Sequence, residues 1–221
     1  ALIDCDDIYY PEKIQKSVAF LEDNIDFGIV FTSINLIDNN GNIVGLCRHP
    51  TKKVTGWIAK DLVLTNLIYN STVVLRRECF DKVGLFDESI FMPADWDMWL
   101  RLSEEYQIGY LKEPLTGYRI TESYTLSHLE LNLKEETYLL EKAINRGKIE
   151  FSEELRNKCY ANLHYRMGKL YGANGNRIKS RDHFKKAMKF YCRDIRTIIH
   201  YLLSVFWPKI LLASLQYRYK S

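Results

Sequence analysis

Two kinds of hydrophobic pattern follow one another along the chain. Residues 1–3 are an apolar run that stops at three carboxylates, Asp4, Asp6 and Asp7, and this predicts a short buried strand with an acidic end. Pro11 is placed to open a helix, because its missing N–H is not needed in a first turn. Ile14, Val18 and Leu21 then recur at helical spacing. Residues 27–37 are rich in β-branched side chains and predict a strand. The run Asp38-Asn39-Asn40-Gly41 suits a tight turn, and residues 42–46 read as the returning strand. A helix over 56–64, a strand over 71–76 and a short helix over 78–83 stopped by Gly84 follow. Trp96, Trp99, Leu100 and Leu102 put a helix at 95–105, and 107–111 and 115–120 read as extended. From Ser127 onward the pattern is helical, with breaks near 147–152, 172–176 and Pro208. Two domains are therefore expected, 1–121 and 122–221. Within 161–190, Tyr165, Gly168, Leu170, Tyr171, Gly175, Phe184 and Ala187 predict an ordinary helical hairpin, with a resemblance to one tetratricopeptide-type unit where a stable array needs about three.

Charge sharpens the division. The net charge is +3 over 221 residues. Residues 1–140 hold 13 Lys and Arg against 22 Asp and Glu, or −9, whereas residues 141–221 hold 18 against 6, or +12. The basic residues of the second region lie on all helical faces, which fits a solvated surface and not a nucleic-acid stripe. Five cysteines at wide spacings, without a C-x-x-C pair, argue against a disulfide framework or a zinc site and fit a reduced, cytoplasmic compartment. The five histidines show no metal-binding spacing, and no Gly-rich phosphate loop is present, so an ATP-dependent kinase is not supported. The opening residues carry neither an initiating Met nor a signal-peptide pattern, and read as the remainder of a longer chain.

Two segments could carry chemistry. In a strand, alternation sends Asp4 and Asp6 to one side, where two carboxylates can share a hard cation; the competing reading is a solvated acidic turn that caps the next helix. Asp95 follows Phe91-Met92-Pro93-Ala94 and so is expected on a loop, beside aromatic residues that exclude water, as a general base is. The competing reading for Asp95 and Asp97 is helix capping.

Together these segments resemble a family. Residues 3–14, with Asp4-Cys5-Asp6-Asp7 and Pro11-Glu12-Lys13-Ile14, are similar to the D-x-D-D-x-x-x-P-x-K block of family-2 glycosyltransferases with the GT-A fold. Residues 71–77 with 83–88, then 95–102, then Tyr118-Arg119-Ile120 resemble its later blocks in order. The resemblance implies an α/β class, with a partial GT-A domain over 1–121 ahead of the all-α domain. It implies an inverting, hexosyltransferase-like enzyme of polysaccharide biosynthesis that moves a sugar from a nucleotide-diphosphate donor to a hydroxyl of a saccharide or lipid-linked acceptor. Asp4 and Asp6 match the positions that hold Mn²⁺ or Mg²⁺, with Asp7 a third candidate, and Asp95 matches the catalytic base. Ala94 stands where the family usually has Glu, and Thr121 where many members have His. The family's nucleotide-binding half precedes the D-x-D block, so the chain as given is expected to be inactive.

A haloacid-dehalogenase-like phosphatase also begins with an apolar strand and D-x-D, but the later acidic strand end it needs is missing. A non-catalytic interaction module derived from the same fold is the other alternative. Residues 198–221 are apolar with Trp207, Tyr217 and Tyr219 and with basic flanks, interrupted by His200, Pro208 and Lys209. Spanning a bilayer is not expected. They offer either a peripheral membrane contact on the cytoplasmic face or the closing helix of the second domain's core.

Overall fold

The computed structural model describes residues 1–47, 54–120 and 127–206. The chain divides into two compact units, Ala1–Thr121 and Glu122–Ser221. The first contains β1 (Ile8–Tyr9), α1 (Lys13–Asp23), β2 (Phe27–Ile37), β3 (Ile43–Cys47), α2 (Ala59–Leu62), a 3₁₀ turn (Asn70–Thr72), β4 (Val74–Leu75), α3 (Glu78–Val83), α4 (Ala94–Ser103) and β5 (Gln107–Arg119). These strands form one open, mixed sheet in the order β1-β5-β2-β3, with β4 also paired to β2. The central pair, β2 and β5, runs parallel, and its other neighbours are antiparallel. The long apolar run of β2 is explained by burial on both faces.

The two extended stretches expected around Pro114 are one strand. Thr32 pairs with Leu111 and Ser33 with Pro114, so Lys112 and Glu113 bulge out of register. A proline lacks the ladder donor, and a bulge accommodates it. On the same strand, a Cβ added at Gly109 would meet the Phe20 ring of α1 at 2.2 Å, so only glycine lets the helix pack down onto β5.

Other expectations are corrected. Residues 1–3 form no strand; the Leu2 amide donates to the Val73 carbonyl, and the chain then turns through Asp4–Asp7. The first strand is Ile8–Tyr9, registered on Gly117 and Thr116 of β5. The strand expected over 71–76 shortens to Val74–Leu75 behind the 3₁₀ turn, and the helix expected over 56–64 to Ala59–Leu62, because Gly56 takes a positive φ and bridges to Ile108. Helix α1 buries Lys13, Ser17 and Leu21, leaving Ile14 and Val18 exposed. Lys13 is fully buried. Its ammonium donates to the Thr72 carbonyl and lies 5.7 Å from the Tyr9 ring centroid, and burial pulls its pKa down to about 7. This bond ties α1 to the 3₁₀ turn that carries Asn70.

The second unit is helical: α5 (Leu129–Arg146), α6 (Glu153–Ala173), α7 (Arg177–Phe190) and α8 (Ile195–Phe206). Ser152 caps α6 by accepting from the Leu155 amide, and Asn176 caps α7 by accepting from Lys179. Helices α6 and α7 make a tight hairpin. A Cβ at Gly168 would meet the Phe184 ring at 2.7 Å, and Ser180 Oγ donates to the Gly168 carbonyl at 2.7 Å.

Across this hairpin the His164 and His183 Nδ1 atoms lie 3.0 Å apart. Burial lowers both pKa values, His164 to about 4; Lys186 adds to the fall at both rings and Asp182 opposes it, His183 adds to it at His164, and at His183 Glu130 opposes it and Lys179 adds to it. Folding favours the neutral rings. The His164 contribution is therefore full above the ordinary value of 6.5 and is lost as pH falls through about 4, and that of His183 is lost in the same direction. The midpoint of thermal unfolding, followed by far-ultraviolet circular dichroism, is expected to fall between neutral pH and pH 5. In His164→Gln that dependence should be markedly smaller.

Candidate functional site

The acidic segment after residue 3 is a turn, closed by the Asp7 amide donating to the Asp4 carbonyl at 3.1 Å. Strand alternation therefore does not set its side chains. Asp4 is held by neighbours: its amide donates to the Ser71 hydroxyl at 2.9 Å, and its Oδ1 accepts from Asn70 Nδ2 at 2.7 Å. Asp7 points inward, where its Oδ1 accepts from the Arg119 amide at 2.8 Å. Burial raises its pKa, while the Ser71 hydroxyl and that amide lower it. Asp6 is exposed, and Arg119 Nε donates to its carbonyl at 2.7 Å. Arg119 thus ties the end of β5 to the acidic turn.

Asp95 reaches the same place from α4. It lies in the first turn of that helix and not on a loop, while Pro93 takes the N-cap position. Its Oδ1 accepts from the Trp96 amide at 2.6 Å and its Oδ2 from Asn66 Nδ2 at 3.1 Å. Asn66 is itself fixed, since its Oδ1 accepts from the Ile68 amide at 3.1 Å. Trp96 and Trp99 are buried in the core, and Trp96 Nε1 donates to the Leu62 carbonyl at 2.8 Å, which joins α2 to α4. The aromatic walls beside Asp95 are instead Tyr69 and Tyr118, whose ring centroids lie 5.0 Å apart. Asp97 is a structural partner: it is fully buried and paired with Arg101 Nε at 2.8 Å.

Asp4, Asn66, Tyr69, Asn70, Asp95 and Tyr118 line one cavity of about 230 Å³. Asp4 and Asp95, distant in sequence, are thus brought together; Asp6 is not among the lining residues, and Thr121 lies outside the described residues. Burial raises the Asp95 pKa to about 6, with the Trp96 amide and Asn66 opposing and the Asp4 charge adding to the rise. Burial, then the charges of Asp7, Asp4, Asp6 and Asp95, push Tyr118 up to about 12. The lining contains two carboxylates and neither Lys nor Arg. Among the described residues no group of three or more His, Cys, Asp and Glu is placed to hold a metal ion by itself. This donor set fits a hard cation that takes one or two carboxylates from protein and the remaining ligands from phosphate and water. It does not fit a cage made by protein alone.

The chain is similar to glycosyltransferases. A protein of Rickettsia prowazekii named an uncharacterized glycosyltransferase is 32% identical over 136 residues, which are 59% of this chain and 42% of that one. One of Methanocaldococcus jannaschii with the same description is 29% identical over 121 residues, 54% of this chain and 41% of that one. One of Bacillus subtilis is 25% identical over 144 residues, 62% and 51%. The chain thus spans about two-fifths to one-half of the length of these curated relatives. No family model matches it.

Sequence reasoning singled out Asp4 and Asp95 but missed Asn66, Tyr69 and Asn70, and gave Tyr118 no place in the site. An Asn two residues before an apolar position is a signal for a side-chain turn, and it could have marked Asn66.

Proposed function

We propose that the chain carries part of the catalytic centre of an inverting glycosyltransferase that uses a nucleotide-diphosphate sugar. The observation that supports this most directly is the shared cavity, in which a carboxylate with a pKa raised to about 6 faces a second carboxylate on a tight turn. Asp95 acts as the general base. Its Oδ1 and Oδ2 are held by the Trp96 amide and Asn66, so the group is oriented before substrate arrives. It accepts the proton of the acceptor hydroxyl while that oxygen attacks the anomeric carbon from the face opposite the leaving diphosphate. The Tyr69 and Tyr118 rings give the acceptor sugar an apolar wall and limit water beside the base.

Asp4 would hold Mn²⁺ or Mg²⁺ together with the phosphates of the donor, and the cation would supply stabilisation of the charge that develops on the leaving diphosphate, whereas Asp6 lies outside the cavity lining. Asn70 keeps the Asp4 carboxylate at the cavity wall, and Lys13 keeps the turn that bears Asn70 in place. The acceptor is a saccharide or a lipid-linked sugar.

Calorimetry of the full-length protein with nucleoside diphosphates, in Mg²⁺ or Mn²⁺ and then in chelator, tests this assignment. Binding should need the cation, and Asp4→Asn should weaken it by about tenfold or more. Cation-dependent binding that Asp4→Asn leaves unchanged would remove Asp4 from the metal site.

A further inference from the structure

The last described helix is turned inside out. Helix α8 buries Thr197 and Ser204, and Tyr201 and Leu203 pack toward Phe184 and Ala173 of the helical unit. The Ser204 carbonyl accepts from Arg181 Nη2 at 3.0 Å, which fixes the helix on that side. Its outward side carries Ile195, Ile199, Leu202 and Phe206, which are 69%, 49%, 43% and 64% exposed. Positions i, i+4, i+7 and i+11 lie along one stripe of a helix. A helix that belongs only to its own core buries such a stripe and turns its Thr and Ser outward. Here two small polar residues are buried and four large apolar ones face out. The reading in which this segment merely closes the domain core does not account for that stripe.

Charge indicates what covers it. From Ile195 to Ser221 the sequence holds Arg196, Lys209, Arg218 and Lys220 and contains no Asp or Glu. The nearest acid, Asp194, is engaged locally, accepting from Thr197 Oγ1 at 2.7 Å and from Arg196 Nε at 2.9 Å. Trp207, Tyr217 and Tyr219 occur in the same stretch. An apolar stripe followed in the sequence by basic and amphipathic aromatic residues has the composition of an interfacial segment drawn to anionic lipid. A second copy of the chain would bring two basic segments together, which like-charge repulsion opposes. None of the described helices is long and apolar enough to cross a membrane.

We propose that α8 docks on an anionic lipid surface, placing Ile195, Ile199 and Leu202 at the boundary between headgroups and acyl chains, drawn there by Arg196 and the basic residues that follow it in the sequence. This inference rests on the second unit alone and stands apart from the chemistry proposed for Asp95.

Co-sedimentation of the full chain with vesicles tests it. The protein is expected to pellet with equimolar phosphatidylcholine and phosphatidylglycerol, much less with phosphatidylcholine alone, and to be released by salt. The double variant Ile199→Glu/Leu202→Glu should lower binding by about tenfold or more, since two apolar anchors are replaced by charges that the surface repels. Both positions are exposed, so its circular dichroism melt should match the parent. A second variant, Lys209→Gln/Arg218→Gln/Lys220→Gln, should weaken binding to the mixed vesicles and leave the phosphatidylcholine control unchanged, whether or not the first variant folds. Failure to pellet with mixed vesicles at low salt would overturn the proposal. So would binding that the basic-residue variant leaves unchanged. Dimers in sedimentation equilibrium that Ile199→Glu/Leu202→Glu dissolves, without vesicle binding by the parent, would assign the stripe to a second copy instead.

Discussion

Asp95→Asn is expected to lower turnover of the full-length protein by about 10²-fold or more, the range typical of removing a general base. The substitution keeps the side-chain shape and the Trp96 amide contact while removing the group that takes the proton. A change confined to turnover, with donor affinity retained, would separate loss of the base from loss of the pocket. Parent turnover should rise with pH through about 6, as Asp95 ionises. The same group has a calculable effect on stability. Its folded pKa lies above the ordinary carboxylate value of 3.8, so its contribution is full below that value and is lost as pH rises through about 6. Asn has no charge to bury. Denaturant titrations across that interval should therefore show a smaller decline for Asp95→Asn than for the parent. Unchanged turnover would assign Asp95 to the start of α4 alone.

The parts of the fold legible in the sequence were those specified by local chemistry. Strand Phe27–Ile37 is rich in β-branched and aromatic residues before an Asp-Asn-Asn-Gly turn, and helix Glu78–Val83 ends at Gly84, where φ is 79°. Asp95 was legible as a candidate because it accompanies an ordered series of motif blocks, and the structure puts it in one cavity with Asp4. Its neighbours were not. Asn66 and Tyr69 come from an irregular segment whose path depends on Trp96 bonding to the Leu62 carbonyl, a contact between positions far apart in sequence. Residues 1–3 read as a strand because an apolar run says nothing about whether a partner ladder exists. Helix α1 misled for a related reason. Its buried position 13 holds Lys, whose stem packs like an apolar residue while its ammonium finds the Thr72 carbonyl. In α8 the apolar composition was visible, but composition cannot say which side of a helix meets its own domain.

Arg101→Ala should be the most damaging single change in the first unit. Asp97 is fully buried, and Arg101 Nε donates to its Oδ2 at 2.8 Å. The same guanidinium donates to the Val83 carbonyl at 2.5 Å and the Leu85 carbonyl at 2.9 Å, so one side chain holds α4 to the end of α3 and to the chain after Gly84. Removing it takes away the cation beside a buried carboxylate and three donors at once. Breaking a buried pair from one side costs about 3–5 kcal/mol, a large share of the roughly 5–15 kcal/mol that holds a typical domain together. Arg101→Lys should recover only part of this, because a single ammonium cannot present the planar fork that reaches all three acceptors. Urea titrations of the parent, Arg101→Ala, Asp97→Asn and the double variant form a cycle that isolates the pair. The double variant should be less unstable than the sum of the two single losses, since neither charge is then left buried alone. If the losses simply add, Arg101 stabilises the unit through the two carbonyls, and the ion pair with Asp97 contributes nothing of its own.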